Sequence, residues 1–453
     1  MKLWEFLKNK MLYNPTQLIC EGEAQMNYED FVIFSENFSR QLNGIKCCAI
    51  LCNNEMMSAL ALISCFAADV TALPLSMRYG ELHCNKILDT ISPDAIITDF
   101  NGELQVTMIK NSLYKEPPIH PALIMCTSGT TGKPKGAMLS EKNIITNVLD
   151  IADYFDIGTT DTILIARSLY HCAVLTGEFL TGLIKGVKIR FCSDHFNPPK
   201  MLELIKQYEI TAFCGTPTLL GMMARFKHTQ SDTLKHICVS GECMSKVIGM
   251  RIAEAFSECK IYHIYGLTEA CPRVSYLPPK FFKKHSDCVG IPLRSVTLEV
   301  RDANGNACKT KEEGVLWVKG DNVMLGYYEE PDKTKKVIRN GWLCTGDIAV
   351  INECGFLKIM GRNDQMIIKA GMNIYPTEVE DSIKIDERVK EVLVYGFENK
   401  YGTQIGIKIV GDFSNVEEVK QLCQECLPAY QIPTLIEIVN ELPKNGSGKV
   451  VRK

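Results

Sequence analysis

One stretch of ten residues, 127–136, combines the residue types that bind a polyphosphate. It reads Thr-Ser-Gly-Thr-Thr-Gly-Lys-Pro-Lys-Gly and contains three glycines, four hydroxyl side chains and two lysines. Glycines let the backbone turn tightly and approach a ligand, and amide, hydroxyl and ammonium groups all bind phosphate oxygens. The glycine spacing is not that of a P-loop, in which four residues separate the first glycine from Gly-Lys-Ser/Thr. The stretch therefore predicts a nucleotide-phosphate loop of another type, with a flexible surface loop as the alternative.

A second string, Tyr265-Gly-Leu-Thr-Glu269, places an aromatic ring, a hydroxyl and a carboxylate directly after an apolar run. An aromatic face can stack on a purine, and Mg²⁺ accepts a carboxylate as a ligand beside phosphate oxygens and water. The string therefore predicts part of a nucleotide and magnesium site. The alternative is an ordinary strand-to-helix turn in which Thr268 caps the helix.

Three further strings carry charged residues at turns. Asp347 follows Thr-Gly and is suited to accept hydrogen bonds from the hydroxyls of a ribose. Arg362, within Gly-Arg-Asn-Asp, supplies a fixed cation at a candidate pivot between two domains. Residues 442–449 form a second loop rich in glycine and lysine. The corresponding alternatives are a plain turn, a solvated linker and a frayed chain end.

Short apolar runs precede several of these strings and predict the strands that position them. Residues 212–214 lead into Gly215 and Thr216, residues 235–240 lead into Gly241 and Glu242, and residues 260–264 lead into the Tyr265 string. Ligands of open α/β sheets bind at the carboxyl ends of the strands. We therefore expect these glycine-containing turns to meet in one crevice.

The alternation of helical and extended patterns predicts an α/β fold with mainly parallel sheets covered by helices. The pattern changes at about residue 286, where short alternating strands and Asp/Asn/Gly turns predict a β-rich subdomain that extends to 361. Residues 362–453 follow the order helix, strand, strand, helix, strand, which predicts a small mobile α+β domain. The expected division is thus a large domain over 1–361 and a lid domain over 362–453.

Composition excludes several classes of function. A chain of 453 residues is too long for one core, and a net charge of -3 does not favour binding of nucleic acid. The 20 scattered cysteines are typical of reduced thiols, and no targeting signal is evident, so we expect a cytoplasmic protein. The most apolar window, 56–75, predicts a buried helix and a strand rather than a membrane span. Monomer and homodimer both stay open.

The strings at 127–136, 265–269, 341–347, 361–364 and 443–449 together resemble, in order and roughly in spacing, the adenylate-forming superfamily. This superfamily contains acyl- and aryl-CoA synthetases, the adenylation domains of nonribosomal peptide synthesis and firefly-type luciferases. The resemblance extends from about residue 53 to residue 449. It implies that a carboxylic acid reacts with ATP to form an acyl-adenylate and pyrophosphate, after which a thiol takes the acyl group and AMP is released.

The resemblance also implies which residues bind ATP or AMP. They are Thr127, Ser128, Gly129, Thr130, Thr131, Gly132, Lys133, Lys135, Gly241, Glu242, Tyr265, Gly266, Asp347 and Arg362. The hydroxyls of the loop and Lys135 would hold the β- and γ-phosphates. Gly241 and Glu242 would form the adenine slot with Tyr265. Asp347 and Arg362 would hold the ribose.

Four residues are expected, by the same resemblance, to act in catalysis: Thr268, Glu269, Lys449 and His171. Glu269 would bind Mg²⁺, and Thr268 would contact the α-phosphate. Lys449 would bridge the acyl carboxylate and the adenylate oxygen in the first step. Asp364 would be the hinge at which the small domain rotates, and Gly371 would line the path of the pantetheine thiol after rotation.

The acid pocket is expected to contain His171, Ala173, Gly177, Gly215 and Thr216. Residues 171–177 include no carboxylate, whereas adenylation domains for α-amino acids place an aspartate at the position of Ala173. This difference disfavours an α-amino acid. The string that ends in His171 is similar to that of acyl- and aryl-CoA synthetases, in which the histidine lies beside the acid. A hydrogen-bonded core histidine is the alternative.

The acceptor thiol stays open at this level. Coenzyme A is the expected acceptor, and a carrier-protein phosphopantetheine supplied in trans is the alternative. A non-catalytic nucleotide sensor derived from the same family is a third hypothesis. Such a sensor is expected to lack Glu269 or Lys449, and both are present. The expected partners are therefore a small carboxylic acid, ATP, Mg²⁺ and a thiol.

Overall fold

The computed structural model describes residues 1–127, 134–192, 197–226, 233–369, 372–399, 402–444 and 450. Its strands, in chain order, are β1 (Leu18–Glu21), β2 (Ala24–Asn27), β3 (Cys47–Ile50), β4 (Thr71–Pro74), β5 (Ala95–Phe100), β6 (Glu103–Met108), β7 (Leu123–Thr127), β8 (Lys135–Leu139), β9 (Thr162–Ile165), β10 (Lys188–Phe191), β11 (Ala212–Gly215), β12 (His236–Ser240), β13 (Lys260–Gly266), β14 (Arg273–Leu277), β15 (Ile291–Pro292), β16 (Val296–Arg301), β17 (Gly314–Gly320), β18 (Gly326–Tyr327), β19 (Ile338–Arg339), β20 (Trp342–Ile351), β21 (Leu357–Arg362), β22 (Ile367–Lys369), β23 (Met372–Ile374), β24 (Val389–Asn399), β25 (Gly402–Gly411) and β26 (Leu435–Ile438).

The α-helices, in the same order, are α1 (Leu3–Leu12), α2 (Tyr28–Ser39), α3 (Glu55–Ala67), α4 (Glu81–Ile91), α5 (Glu141–Tyr154), α6 (Cys172–Val174), α7 (Thr181–Lys185), α8 (Pro198–Gln207), α9 (Pro217–Met223), α10 (Lys246–Ala255), α11 (Pro279–His285), α12 (Pro331–Val337), α13 (Pro376–Ile383) and α14 (Val416–Cys426). A π-helical segment, Leu175–Leu180, joins α6 to α7.

Two large mixed sheets form the amino-terminal part of the chain. The first has nine strands in the order β15-β14-β13-β12-β11-β9-β10-β1-β2, and the run from β13 to β1 is parallel. The second has seven strands in the order β18-β8-β7-β4-β3-β5-β6, with the run from β7 to β5 parallel. The expectation of mainly parallel sheets covered by helices is confirmed.

Helix caps and buried faces explain the helices between the sheets. Ser140 and Asn143 form a reciprocal capping box at the start of α5. Asn54 caps α3 by accepting a hydrogen bond from the amide of Met57. One hydrophobic core joins side chains of both sheets to α2, α3 and α5. Burial of these apolar faces fixes the strand ends against the helices.

The apolar window 56–75 is the buried helix α3 followed by the strand β4, as predicted. Within the described parts of the chain, no helix has both the length and the apolar character needed to cross a membrane. All 20 cysteines lie in the described parts of the chain, where none of them forms a disulfide bond.

The β-rich subdomain is a five-stranded antiparallel sheet in the order β16-β17-β20-β19, with β21 paired to β20. The part of the chain after the β-rich subdomain has its own hydrophobic core, to which α13, β24, β25 and α14 contribute. The predicted order helix, strand, strand, helix, strand is confirmed there, and a short hairpin, β22 and β23, precedes it. The chain is thus an α/β protein with a small α+β unit at its carboxyl end.

Candidate active site

Two neighbouring turns at the carboxyl edge of the nine-stranded sheet contact each other. β11, β12 and β13 are adjacent and parallel, so the turns that follow them share one edge. The carboxylate of Glu242, after β12, accepts hydrogen bonds from the backbone N–H of Thr218 (3.2 Å) and from its hydroxyl (2.6 Å), after β11. Gly241 has a φ of +99°, and an added Cβ would lie 3.7 Å from Cγ2 of Thr216. Two of the three turns that were expected to meet are therefore in contact.

The end of β13 brings Tyr265 to the β-rich subdomain. The Tyr265 hydroxyl donates a hydrogen bond to Oδ2 of Asp347, whose other oxygen lies 3.3 Å from Nη1 of Arg362. Asp347 and Arg362 face each other across β20 and β21, and Arg362 also donates to the carbonyl of Thr345 (2.9 Å). Burial and the neighbouring Asp347 raise the pKa of Tyr265, so the phenol keeps its proton. Residues expected to bind adenine and ribose are therefore in direct contact.

Gly266 occupies a position that excludes a side chain. An added Cβ would lie 2.2 Å from the carbonyl oxygen of Pro272, which directly precedes β14, the antiparallel neighbour of β13. The close approach of the two backbones thus requires glycine between Tyr265 and the turn that carries Glu269.

Tyr327 connects Glu269 to the start of β8. Thr268 and Glu269 begin a single turn of 3-10 helix, Thr268–Ala270, and Oε1 of Glu269 accepts a hydrogen bond from the Tyr327 hydroxyl (2.8 Å). Nζ of Lys135 lies 5.3 Å from the centroid of the same ring. Tyr327 is buried, and burial together with Glu269 raises its pKa, so its hydroxyl stays a donor. Local sequence patterns do not identify Tyr327.

The glycine-rich stretch connects two antiparallel strands. Thr127 ends β7 and Lys135 begins β8, and these two residues face each other across the pair. Local sequence patterns do not predict β8, which precedes the helix α5. Residues 135–139, Lys-Gly-Ala-Met-Leu, have little intrinsic strand preference, and pairing with both β7 and β18 makes them a strand.

His171 lies at the start of α6, next to an aromatic side chain from another part of the chain. Its Nε2 shares a hydrogen bond with the hydroxyl of Tyr79, and the Tyr79 ring lies 4.7 Å, centroid to centroid, from that of Tyr170. Burial, together with Arg167 and Arg78, lowers the pKa of His171 to about 3. The imidazole is therefore neutral at physiological pH. Tyr79 was not identified from the sequence.

The glycines expected in the acid pocket are packed against side chains. An added Cβ at Gly177 would lie 2.7 Å from Nε of Arg273, and one at Gly215 would lie 2.9 Å from Cγ of Leu220. Ala173 is half-buried in α6. Thr216 caps α9 by accepting a hydrogen bond from the amide of Leu219. Gly177 and Gly215 thus accommodate neighbouring side chains in the tertiary structure.

A buried ionic cluster lies next to Gly177. Local sequence patterns do not reveal it. Nη2 of Arg167 donates to Oε1 of Glu178 (2.6 Å), and the Glu178 side chain is 0% exposed. Arg273 donates to the carbonyl of Gly177 (2.9 Å) and to the hydroxyl of Tyr154 (2.5 Å). Burial raises the pKa of Glu178, and Arg167 and Arg273 oppose that effect. The only signal in the sequence is that these charges stand in apolar runs.

The expected hinge follows β21 directly. Asn363–Gln365 is one turn of 3-10 helix, and Oδ1 of Asp364 lies 3.4 Å from Nε of Arg362. Beyond it, the hydroxyl of Tyr375 donates to Oε2 of Glu313 in the β-rich subdomain (2.7 Å). The expected site residues that lie outside the described residues are Ser128, Gly129, Thr130, Thr131, Gly132, Lys133, Gly371 and Lys449.

Two family models match the chain. Residues 13–328 match the model described as AMP-binding enzyme, and residues 378–449 match the AMP-binding enzyme C-terminal domain.

The curated relatives and solved structures agree with this match. A long-chain-fatty-acid–CoA ligase of Haemophilus influenzae is 33% identical over 343 residues, which are 73% of this chain and 61% of the relative. The chain spans only 61% to 65% of the first such ligases that it matches. Feruloyl-CoA synthase of Amycolatopsis sp is 27% identical, with 99% of this chain and 97% of that protein covered. O-succinylbenzoate coenzyme A synthetase of Bacillus subtilis, solved with ATP and a magnesium ion, superposes with a TM-score of 0.85 at 26% identity, covering 98% of each chain.

Proposed function

Because the chain belongs to the AMP-binding enzyme family, we propose that it is an AMP-forming acid–thiol ligase. In the first step a carboxylate oxygen of the acid bonds to the α-phosphorus of ATP, and the bond from that phosphorus to the bridging oxygen breaks, releasing pyrophosphate. In the second step a thiolate sulfur bonds to the acyl carbon and AMP leaves. The thiol proton passes to solvent. The products are a thioester, AMP and pyrophosphate.

The observation that carries this proposal is that the end of β13 and the turn after it hold two sets of side chains suited to bind a nucleotide. Tyr265, near the end of β13, is bonded to Asp347, and Glu269, four residues later, is bonded to Tyr327. One set has the groups for adenosine, an aromatic ring and a hydrogen-bonding carboxylate. The other set has a lysine and a carboxylate, the groups for phosphates and a metal. Such chemistry depends mainly on positioning and on neutralising charge.

Glu269 would hold Mg²⁺ together with phosphate oxygens and water. Mg²⁺ binds commonly through one or two carboxylates, and it keeps substrate phosphates and waters as its other ligands. Glu269 fits this role because it is half-buried, and because a neutral phenol, rather than a cation, is the donor to Oε1. The ion would offset the negative charge of the phosphates. Lys135, across the Tyr327 ring, would contact the same phosphates.

The acid would lie beside His171. A neutral imidazole can bind the acid by hydrogen bonding without forming a fixed ion pair with its carboxylate, which must attack phosphorus. The Tyr79 hydroxyl would fix the orientation of the ring. Because Oε1 of Glu178 is bonded to Arg167 and the Glu178 side chain is 0% exposed, this carboxylate is not accessible from the crevice to pair an ammonium. This supports an acid other than an α-amino acid.

Coenzyme A is the acceptor that we propose. The relatives at high coverage, feruloyl-CoA synthase and O-succinylbenzoate coenzyme A synthetase, bear its name. A carrier-protein phosphopantetheine is the second candidate, because it presents the same pantetheine thiol. Domain rotation about Asp364 would bring Gly371 to the thiol path and remove Lys449 from the phosphate. The cytoplasm is the location that we propose, because ATP and reduced thiols are both present there. Cysteines without disulfide bonds, as in this chain, are typical of that compartment.

The test is pyrophosphate release from ATP and Mg²⁺ with a panel of carboxylic acids, followed by addition of coenzyme A or of a phosphopantetheinylated carrier protein. We expect release with one class of acid and thioester formation with coenzyme A. Thioester formation on the carrier alone would favour the second candidate. ATP binding without release for any acid would refute the ligase and favour a nucleotide sensor.

A further inference from the structure

The buried ionic cluster consists of Arg167, Glu178 and Arg273. Arg167 is hydrogen-bonded to the carboxylate of Glu178, and Arg273 acts on it electrostatically. Glu178 is fully buried and bonded to Arg167, and Arg273 is 3% exposed. Arg273 is held by the hydroxyl of Tyr154 and the carbonyl of Gly177, which are neutral acceptors. With every member ionised, the three side chains have a net charge of +1. Burial of an uncompensated charge is costly, so an anion bound nearby would stabilise the cluster.

Arg167 is the member of the cluster that reaches the crevice. Its side chain is 20% exposed, compared with 0% for Glu178. An added Cβ on Gly241 would lie 3.8 Å from Nη1 of Arg167 and 3.7 Å from Thr216. Arg167 also acts electrostatically on His171. The guanidinium thus lies near Gly241, which is expected in the adenine slot, on the side where Thr216 of the expected acid pocket also approaches.

The hydrogen-bonding capacity of Arg167 is only partly used. Nη2 donates to Glu178, whereas Nε is buried and has no hydrogen-bond partner among the described residues. Guanidinium groups bind carboxylates in a forked arrangement through two N–H groups. An aliphatic chain packed against this group would leave its donors without partners and keep water away from them.

We propose that Arg167 determines substrate specificity by binding a second carboxylate of the acid, so that the enzyme activates dicarboxylic acids. This inference rests on the proposed ligase function. The reacting carboxylate lies toward His171 and the phosphates, and the second carboxylate lies toward Arg167, Thr216 and Gly241. The charge of the second carboxylate balances the cluster.

The test compares matched acids that differ only in the second carboxylate: adipate with hexanoate, and terephthalate with benzoate. We expect kcat/KM for pyrophosphate release to favour the diacid of at least one pair by roughly a hundredfold, since a site built around a polar group rejects a substrate that lacks it. Arg167→Met combined with Glu178→Gln removes both charges together. This double substitution should bring the ratio of kcat/KM for the diacid to kcat/KM for the monoacid to about one, or below one. Arg167→Lys keeps the charge without the fork and should give an intermediate ratio.

Arg294→Met is the matched control, because that arginine is 82% exposed and pairs with Asp153 at the surface. The ratio of diacid to monoacid kcat/KM for this variant should equal that of the unmodified protein. ATP binding without acid checks that each variant is folded, and Arg167→Lys serves if the double variant is not. A preference for the monoacids, or a diacid preference that persists in a folded double variant, would overturn the assignment of Arg167. Absence of release with every acid would instead refute the ligase function.

Discussion

The hydroxyl of Tyr327 donates a hydrogen bond of 2.8 Å to Oε1 of Glu269, although 58 residues separate them in the chain. The ammonium group of Lys135 lies near the face of the same tyrosine ring. The tyrosine therefore sets the positions of an anion and a cation that are both expected at the phosphates of ATP. A neutral donor also orients the carboxylate without neutralising it.

Tyr327→Phe should lower the affinity for Mg²⁺ without unfolding the protein. The ring and its contact with Lys135 remain, and only the hydrogen bond to Glu269 is lost, which is worth about 1.5–3 kcal/mol for a charged acceptor. We expect the Mg²⁺ concentration for half-maximal pyrophosphate release to rise about tenfold. Tyr328→Phe is the control, since the hydroxyl of Tyr328 instead accepts a hydrogen bond from the amide of Lys115. An equal effect of both substitutions would contradict the role of Tyr327.

Lys449→Ala should abolish adenylate formation and largely preserve thioester formation from acyl-adenylate supplied directly. The lysine is expected to bridge the acyl carboxylate and the adenylate oxygen only in the first step, so a loss of about a thousandfold should be confined to that step. The two half-reactions are measured separately by pyrophosphate release and by consumption of acyl-adenylate. Lys444→Ala is the control, because Lys444 pairs with Glu391 within the small domain. A parallel fall of both half-reactions would show that the assigned role is wrong.

Asp364→Pro should slow the second step selectively, by about tenfold or more. Proline fixes φ near −65° and removes the backbone N–H, so rotation at this position would be restricted. Asp364→Ala separates this effect from loss of the contact with Arg362, which lies 3.4 Å away, and should leave the second step nearly unchanged. Rapid-quench measurement of each half-reaction is the appropriate assay. If proline slows adenylation as much as thioester formation, the hinge lies elsewhere.

Asp381→Asn should stabilise the small domain at alkaline pH. Burial raises the pKa of Asp381 from 3.8 to about 7. The folded state then binds more protons than the unfolded state between these values, so stability falls as pH rises from about 4 to 7 and stays low above that. Asparagine has no charge to bury, and the variant should gain about 1–3 kcal/mol at pH 8 and nothing at pH 4.

The matched control for this pH dependence is Asp386→Asn. Arg388 lowers the pKa of Asp386, so its charge is stabilising at neutral pH and is lost in acid. This substitution should therefore have the opposite sign at pH 8. Denaturant unfolding at the two pH values measures both effects. Equal stability of Asp381→Asn and the unmodified protein at pH 8 would contradict the burial of that charge.

Sequence patterns were sufficient for features that depend on neighbouring residues. Ser140 and Asn54 cap helices, and the runs before Gly215, Gly241 and Tyr265 are strands, because caps and periodicity act within a few residues. The order of these elements then implied a parallel sheet edge at which the turns meet. The match to the AMP-binding enzyme family confirms the resemblance that the glycine-rich stretch and the later strings indicated.

Tertiary structure decided the contacts between residues far apart in the chain. The strand β8 exists because β7 and β18 pair with it, and not because residues 135–139 prefer an extended form. Tyr79 contacts His171 across 92 residues of chain. Arg167, Glu178 and Arg273 come together only when the π-helical segment between α6 and α7 packs against the sheet. Local propensity and spacing contain no record of such contacts, since they result from burial of side chains drawn from the whole chain. The sequence by itself therefore determined the family and the strands that lead into the expected site, whereas packing decided which side chains contact Glu269 and His171.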